Sequence, residues 1–141
     1  MKIRLAISPD ELSACVALRK TVFMGEQGVS LEEEIDGRDG SSLHFLGGPV
    51  TDPQCAARVR IIDDMAKIER VCVAAEVRGT GMGAALMRHM HGALPRNPRI
   101  KWFKLEAQTQ ALKFYEKLGY VAEGEEFLDA GIPHFVMTRP A

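Results

Sequence analysis

The spacing of apolar residues in the first half of the chain predicts one strand, one helix and a group of three strands. Apolar and polar residues alternate over residues 3–7, which is typical of a half-buried strand. Ser8, Pro9 and Glu11 form a helix start, because serine can cap backbone N–H groups and proline suits the first turn. This helix is predicted to extend to about Phe23. The three strands, expected to form an antiparallel meander, cover residues 43–46, 56–62 and 68–73.

Glycine and proline divide the second half of the chain into alternating helices and strands. A turn over residues 74–78 leads into a helix that ends near Ala93, because Pro95 cannot continue it. Thr109 is predicted as the N-cap of a further helix that stops at Gly119, where a left-handed residue is favoured. Strands are predicted over residues 100–105 and on either side of residues 129–131. The pattern predicts one α/β domain over residues 1–141 with a mixed sheet.

Charge and hydropathy exclude several classes of protein. Eighteen Lys and Arg residues against nineteen Asp and Glu residues give a formal net charge of −1, so the chain has no general attraction to nucleic acid or anionic lipid. No apolar run approaches the roughly 18 residues of a membrane span. The N-terminus becomes polar too early for a secretory signal. The sequence therefore predicts a protein of the cytoplasm, without nucleic-acid or membrane partners.

The cysteines and histidines do not form a metal-binding pattern. The chain has three cysteines, Cys15, Cys55 and Cys72. The odd number and the absence of a CxxC pair favour reduced and mostly buried thiols. His89 and His91 are two positions apart on a predicted helix and so point in different directions. We expect no metal.

Three glycines at the start of the second long helix carry the main chemical signal. Gly79, Gly81 and Gly83 leave the backbone accessible, and the unpaired N–H groups of a helix start favour an anion such as a phosphate or diphosphate. A P-loop is not supported, because Gly83 is not followed by Lys and Ser or Thr. A dinucleotide site is weakened by the GxGxG spacing but stays open, since Glu106 lies near the position of a ribose-binding acid. A flexible turn without a ligand is the third alternative.

Two motifs in order give the chain a family resemblance. Arg78, Gly81 and Gly83 match the Arg/Gln-x-x-Gly-x-Gly/Ala pattern, and residues 108–120 contain Gln-x-x-Ala-x-x-Phe-Tyr-Glu-Lys-Leu-Gly-Tyr. With these motifs the chain resembles the GNAT superfamily of N-acetyltransferases, and segments at 23–27, 33–36, 68–71, 107–108 and 131–134 resemble its YjcF-like or ElaA-like branch. The resemblance implies a mostly antiparallel sheet of six to seven strands with about four helices. A central parallel pair of strands would splay around the cofactor.

The resemblance also implies the cofactor, acetyl-CoA, and the residues that contact it. Tyr115 occupies the position of the general acid, with a core tyrosine as the alternative. Glu69 is a candidate base, directly or through water, or else an outward-facing strand residue in an ion pair. A main-chain N–H near Val73 would polarise the thioester carbonyl. The expected cofactor-binding residues are Val71, Cys72, Val73, Arg78, Gly79, Thr80, Gly81, Met82, Gly83, Ala84, Gln108, Phe114 and Tyr115.

The acceptor is expected to be a small-molecule amine or an exposed amino group. The acidic, glycine-punctuated loop predicted over residues 32–40 would attract a cationic amine, or would simply be solvated. The leading hypothesis is direct attack in a ternary complex, and the alternative is a non-catalytic acyl-CoA-binding regulatory module. The resemblance adds a homodimer as a common assembly of the family. The expected substrate-side residues are Glu26, Glu33, Asp36, His44 and His134.

Overall fold

A mixed seven-stranded sheet forms the centre of the computed structural model, which describes residues 2–141. Its strands follow the order β1-β2-β3-β4-β5-β7-β6, and β4 and β5 are the parallel pair in an otherwise antiparallel arrangement. This confirms the predicted mixed sheet. The strands are β1 (Ile3–Leu5), β2 (Leu43–Gly47), β3 (Cys55–Ile62), β4 (Met65–Val73), β5 (Trp102–Gln108), β6 (Val121–Asp129) and β7 (Ile132–Pro140).

Four α-helices cover the sheet: α1 (Pro9–Arg19), α2 (Leu31–Glu34), α3 (Met82–Ala93) and α4 (Leu112–Glu116). Helix α1 begins as predicted, with a capping box between Ser8 and Glu11. Its predicted end near Phe23 is wrong, because the chain continues from α1 into a π-helix at Lys20–Glu26. The last helix is shorter than predicted: a 3₁₀ turn occupies Thr109–Ala111, and Thr109 does not cap α4.

Each face of the sheet packs against its own group of helices. Helix α3 and α4 cover a large apolar cluster, whose fully buried members include Leu86, Met87, Phe103 and Met137. Helix α1 covers a smaller cluster on the opposite face, which includes Cys15 and Cys72. All three cysteines are reduced and buried, in agreement with the sequence analysis.

Strands β4 and β5 separate halfway along their length. Their pairing runs from Met65 to Lys67 on β4 and stops there, although both strands continue. Close to this point β4 contains a bulge, in which Arg70 and Val71 oppose a single residue of β3 and Arg70 adopts a left-handed conformation with φ of 56°. The extra residue reverses the alternation of side chains, so Val71 and Val73 pack on the same cluster as Ile68. A cleft therefore opens between the two strands.

A chain of buried charges connects α1 to this bulge. Arg19 and Glu34 are both almost fully buried, and their side chains lie 2.7 Å apart. Glu34 also contacts the Nε of Arg70 at 2.9 Å, and Arg70 donates a hydrogen bond to the carbonyl of Glu33 at 3.1 Å. Glu34 is thus enclosed between two guanidinium groups, which fasten α2 to both α1 and β4.

A second group of ion pairs centres on Arg58 of β3, whose side chain is fully buried. Arg58 contacts Asp36 at 2.8 Å, Asp39 at 2.9 Å and Glu69 at 3.1 Å. These contacts hold the chain after α2 against the sheet.

The prediction of a loop over residues 32–40 is wrong at its beginning. Residues Leu31–Glu34 form helix α2, which is capped by reciprocal hydrogen bonds between Ser30 and Glu33. A capping box can stabilise such a short helix start, and the buried contacts of Glu34 supply the packing that a single helical turn lacks. Two of the acidic residues, Glu34 and Asp36, are consequently bound by arginine side chains of the protein itself.

Replacing Glu34 tests this buried connection. The Glu34→Ala substitution would leave the buried Arg19 with Asp39 as its remaining carboxylate and would also take Glu34 from Arg70, so we expect a loss of about 3–5 kcal/mol in the free energy of unfolding. Urea denaturation followed by circular dichroism measures this loss. The matched control is Glu32→Ala on the exposed side of α2, which we expect to change stability by less than about 0.5 kcal/mol. Equal effects of the two substitutions would contradict the buried role of Glu34.

Candidate active site

The cleft between β4 and β5 has a volume of about 260 Å³. Its walls come from the two separated strands, from α2, from the chain that follows α1, from α4 and from the turn between β6 and β7. Several residues that the sequence analysis singled out separately meet here. They are Glu33, Glu69, Val71, Gln108, Tyr115 and His134.

The glycine segment forms an open backbone surface at the start of α3. Gly79 and Gly81 have φ angles of 79° and 89°, which an L side chain rarely adopts, and a Cβ at either position would meet no atom within 4 Å. Gly81 precedes α3 without a side-chain cap, and the first hydrogen bond of the helix runs from Ala85 to Gly81. The N–H groups of the first turn therefore remain available to an anion.

Gly83 has a different role from the other two glycines. A Cβ built on it would lie 3.4 Å from the ring of Phe114 and 3.5 Å from the side chain of Val73. The small residue lets α3 sit close to both α4 and the end of β4. This close packing holds the open backbone surface next to the end of β4.

The end of β4 points a peptide group towards the cleft. The N–H of Ala74 donates to Gln54 on the β3 side, at 2.8 Å. Because successive peptide groups of a strand alternate, the N–H and C=O of Val73 face the opposite side, where β5 has separated. The carbonyl of Val73 accepts a hydrogen bond from Nε of Arg78 at 3.1 Å. The Val73 side chain packs on the core, as the sequence analysis expected.

Tyr115 is the aromatic residue of α4 that reaches the cleft. Burial raises the pKa of its hydroxyl to about 12, so the phenol is protonated over the whole physiological range. Its ring lies edge-on to Phe114 and to Tyr120, with centroids 5.0 and 5.9 Å away. Tyr120 in turn contacts Nε2 of His91 at 2.7 Å. Aromatic neighbours on both sides thus fix the position of the Tyr115 ring.

Cys72 contributes backbone but no reactive thiol to this region. Its side chain is packed in the cluster under α1, and burial raises the pKa of the thiol far above its usual range. A buried and protonated thiol is a poor nucleophile. The site therefore contains no activated cysteine at this position.

Glu69 lies in the cleft but is surrounded by cations. It contacts Arg60 at 2.6 Å, Arg58 at 3.1 Å and Lys67 at 3.5 Å. Burial alone would raise the pKa of its carboxyl, but the hydrogen bond from Arg60 and the nearby charges outweigh burial and lower the pKa. The ion pairs of the second sequence-based alternative are therefore present, but Glu69 faces the cleft instead of pointing outwards.

The other expected substrate-side residues are divided between different places. Glu33 and His134 line the cleft. Asp36 is held by Arg58, whose hydrogen bond keeps the pKa of that carboxyl well below its usual range. His44 is buried on β2, where its Nε2 donates a hydrogen bond to the carbonyl of Asp39. It was expected on the substrate side, but it does not line the cleft. Glu26 forms an ion pair with Arg78 at 2.6 Å.

Arg70 and Gln27 belong to the cleft wall and had no role assigned from the sequence. Arg70 reaches the cleft because of its left-handed bulge, for which a local sequence pattern gives no signal. Gln27 lies within a segment that resembles the family, and its Oε1 accepts a hydrogen bond from Nε2 of Gln108 at 2.8 Å.

Within residues 2–141, no group of three or more His, Cys, Asp or Glu side chains is placed to bind a metal ion. None of the helices in this part of the chain has the length and hydropathy needed to cross a membrane.

Comparison with known proteins identifies the family. The model of the acetyltransferase (GNAT) domain matches residues 17–140, so this chain belongs to the GNAT acetyltransferase family and is an N-acetyltransferase. It is 39% identical over 140 residues to the uncharacterized N-acetyltransferase YjcF of Bacillus subtilis, covering 99% of both chains. The crystal structure of Escherichia coli ElaA superimposes with a TM-score of 0.88 at 28% identity, covering 99% of both chains. An acyl-CoA N-acyltransferase from Pseudomonas aeruginosa superimposes with a TM-score of 0.85 at 28% identity, over 98% of this chain and 97% of that one. The resemblance to this family and branch is thereby confirmed.

Titration of the tyrosines tests the buried state of Tyr115. The chain has only two tyrosines, and burial raises the pKa of both, that of Tyr115 to about 12. We therefore expect almost no tyrosinate absorbance in the native protein near pH 10, where unfolded tyrosines are about half ionised. Because the folded state holds these protons more tightly, stability falls as the pH rises above about 10. A tyrosine that ionises near pH 10 in the native protein would contradict the burial described here.

Proposed function

We propose that this enzyme transfers the acetyl group of acetyl-CoA to a primary amine, on a small molecule or an exposed amino group, by direct attack in a ternary complex. The observation that carries the proposal is the arrangement of three features around the separated end of β4. The open glycine backbone at α3 lies next to this end through the contact of Gly83 with Val73, and the buried ring of Tyr115 lines the cleft between β4 and β5.

The shape and charge of the glycine segment fit the diphosphate of CoA. The uncapped N–H groups of α3 and the side chain of Arg78 offer hydrogen-bond donors and positive charge, and no side chain covers Gly79 or Gly81. From this position the pantetheine arm would follow the gap between β4 and β5, with Gln108 and Phe114 beside it. Val71, Cys72 and Val73 would contact it through their backbone. Gly79 to Ala84 would contact the diphosphate.

The transfer needs one bond to form and one to break. The neutral amine nitrogen attacks the thioester carbon and forms the C–N bond, while the N–H of Val73 stabilises the charge that develops on the carbonyl oxygen. Such a donor is commonly worth about 2.7–4 kcal/mol of the barrier. The C–S bond then breaks, and Tyr115 gives its proton to the departing thiolate. The inert environment of Cys72 supports a route without an acyl-enzyme on that residue.

We propose His134, rather than Glu69, as the group that accepts the proton of the attacking amine, directly or through water. Nδ1 of His134 lies 2.6 Å from the carbonyl of Ile132, which can only accept, so Nδ1 carries the proton. In the neutral ring Nε2 is then a free acceptor. The stacked ring of Phe127, 5.9 Å away, holds the imidazole at the cleft. The cations around Glu69 lower the pKa of its carboxyl, which makes it a weaker base than an ordinary carboxylate.

Replacing Tyr115 tests the catalytic part of this proposal. Cleavage of acetyl-CoA is measured with a panel of polyamines, amino sugars and peptides, and we expect cleavage that depends on the added amine. For Tyr115→Phe we expect kcat to fall about 10²-fold or more, because the thiolate loses its acid. The matched control is Tyr120→Phe, which removes the neighbouring hydroxyl and should leave most of the activity.

An unchanged rate in Tyr115→Phe would remove this residue from the mechanism. Binding of CoA without any amine-dependent cleavage would instead favour a non-catalytic acyl-CoA-binding module.

The assignment of the base is tested with two isosteric substitutions. Asparagine at position 134 keeps a donor towards Ile132 but lacks Nε2, so we expect His134→Asn to lower kcat about 10²-fold. Glu69→Gln keeps the shape of the side chain but breaks the ion pairs with Arg58 and Arg60. We therefore expect it to lower the free energy of unfolding and to leave most of kcat. Steady-state kinetics and urea denaturation of both variants measure these effects. The reverse pattern of kcat values would make Glu69 the base.

A further inference from the structure

The chain that follows α1 reaches across the cleft and contacts two residues on the cofactor side. We call residues 20–28 the strap; it contains the π-helix Lys20–Glu26. The carboxylate of Glu26 lies 2.6 Å from Nη2 of Arg78, and the next residue, Gln27, accepts a hydrogen bond from Gln108 at 2.8 Å. The first contact joins residues that are 52 positions apart in the sequence, and the second joins residues that are 81 positions apart. Both partners of the strap are residues proposed above to contact CoA.

Glu26 does not have to orient Arg78, because another contact already does so. Nε of Arg78 donates to the carbonyl of Val73, which fixes the guanidinium at the end of β4. Glu26 binds the remaining end of the same group and cancels part of its charge. The Glu26 carboxylate is therefore bound to the part of the Arg78 guanidinium that a diphosphate would otherwise bind, beside the uncapped start of α3.

The strap can release Arg78 at moderate cost. The side chains of Arg78 and Glu26 are 46% and 35% exposed, and ion pairs of this exposure are individually weak. The strap ends at Gly28, which has a φ of 72° and no atom within 4 Å of a Cβ position. A CoA diphosphate, with two charges and several acceptor oxygens, is a stronger partner for Arg78 than one carboxylate.

We infer that Glu26 is a cofactor-side residue that sets the affinity for CoA by competing with its diphosphate for Arg78. This assignment replaces the acceptor-side role that the sequence suggested for Glu26, and it rests on the proposed binding of CoA at the glycine segment. Glu26 holds the strap closed in the free enzyme, and binding of CoA releases it.

The test is the dissociation constant of CoA, measured by isothermal titration calorimetry for four variants and the unchanged protein. We expect Glu26→Gln to bind CoA about three- to fivefold more tightly, because the competing charge is lost. The matched control is Glu32→Gln, which removes an equally exposed carboxylate on α2 and should leave the affinity unchanged. In an Arg78→Ala background, adding Glu26→Gln should have no further effect. The gain in affinity should also shrink as the salt concentration rises.

Two results would overturn the inference. Weaker binding of CoA by Glu26→Gln would mean that Glu26 orients Arg78 rather than competing for it. An unchanged affinity, or the same gain in the Arg78→Ala background, would show that Glu26 does not act through Arg78. In both cases CoA still binds, so the proposed function stands. Failure of the unchanged protein to bind CoA would overturn the proposed function itself.

Discussion

The parting of β4 and β5 is the constraint on which the rest of the structure depends. Parallel strands that stayed paired past Lys67 would use the peptide groups that now face the cleft. The bulge at Arg70 divides β4 into two parts. Before the bulge the strand pairs with both β3 and β5, and after it the strand pairs with β3 alone. Val71 and Val73, beyond the bulge, still pack on the core. The left-handed conformation of Arg70 is a local cost, of order 1–3 kcal/mol, that the surrounding contacts must offset.

The ion pairs around Arg70 and Arg58 supply that compensation. A sheet that opens in its middle loses hydrogen bonds between strands, and here side chains from α1, α2 and β3 hold the β4 side of the opening in place. Glu34 connects Arg19 to Arg70, so the wall of the cleft is fixed to the residue that creates it. Since buried charges are costly without partners, this network also favours one arrangement of α2 over others. The acidic segment thus forms part of the cleft wall, which Glu33 lines.

The parts of this structure that the sequence predicted are those with local causes. The alternation of apolar and polar residues predicted the strands, and the capping box predicted the start of α1. The glycines at 79, 81 and 83 predicted an open helix start. The errors have non-local causes. Asp36 is bound by Arg58, 22 positions away, and no pattern within residues 32–40 reveals that contact. For the same reason the sequence gives no local signal for the contact of Glu26 with Arg78, 52 positions away.

The site separates the two charges that acetyl transfer must manage. The diphosphate is permanently anionic, and the residues proposed to hold it stand at the exposed mouth of the cleft, where a half-exposed Arg78 can exchange one partner for another. The thiolate appears only transiently, and the group proposed to neutralise it is a buried phenol with a pKa of about 12. Burial keeps this proton on the phenol at physiological pH, and it also raises the pKa of a thiol formed beside the phenol, so proton transfer depends on the two groups lying next to each other. Burial therefore keeps Tyr115 protonated until the thiolate forms, while exposure makes the binding of the cofactor by Arg78 reversible.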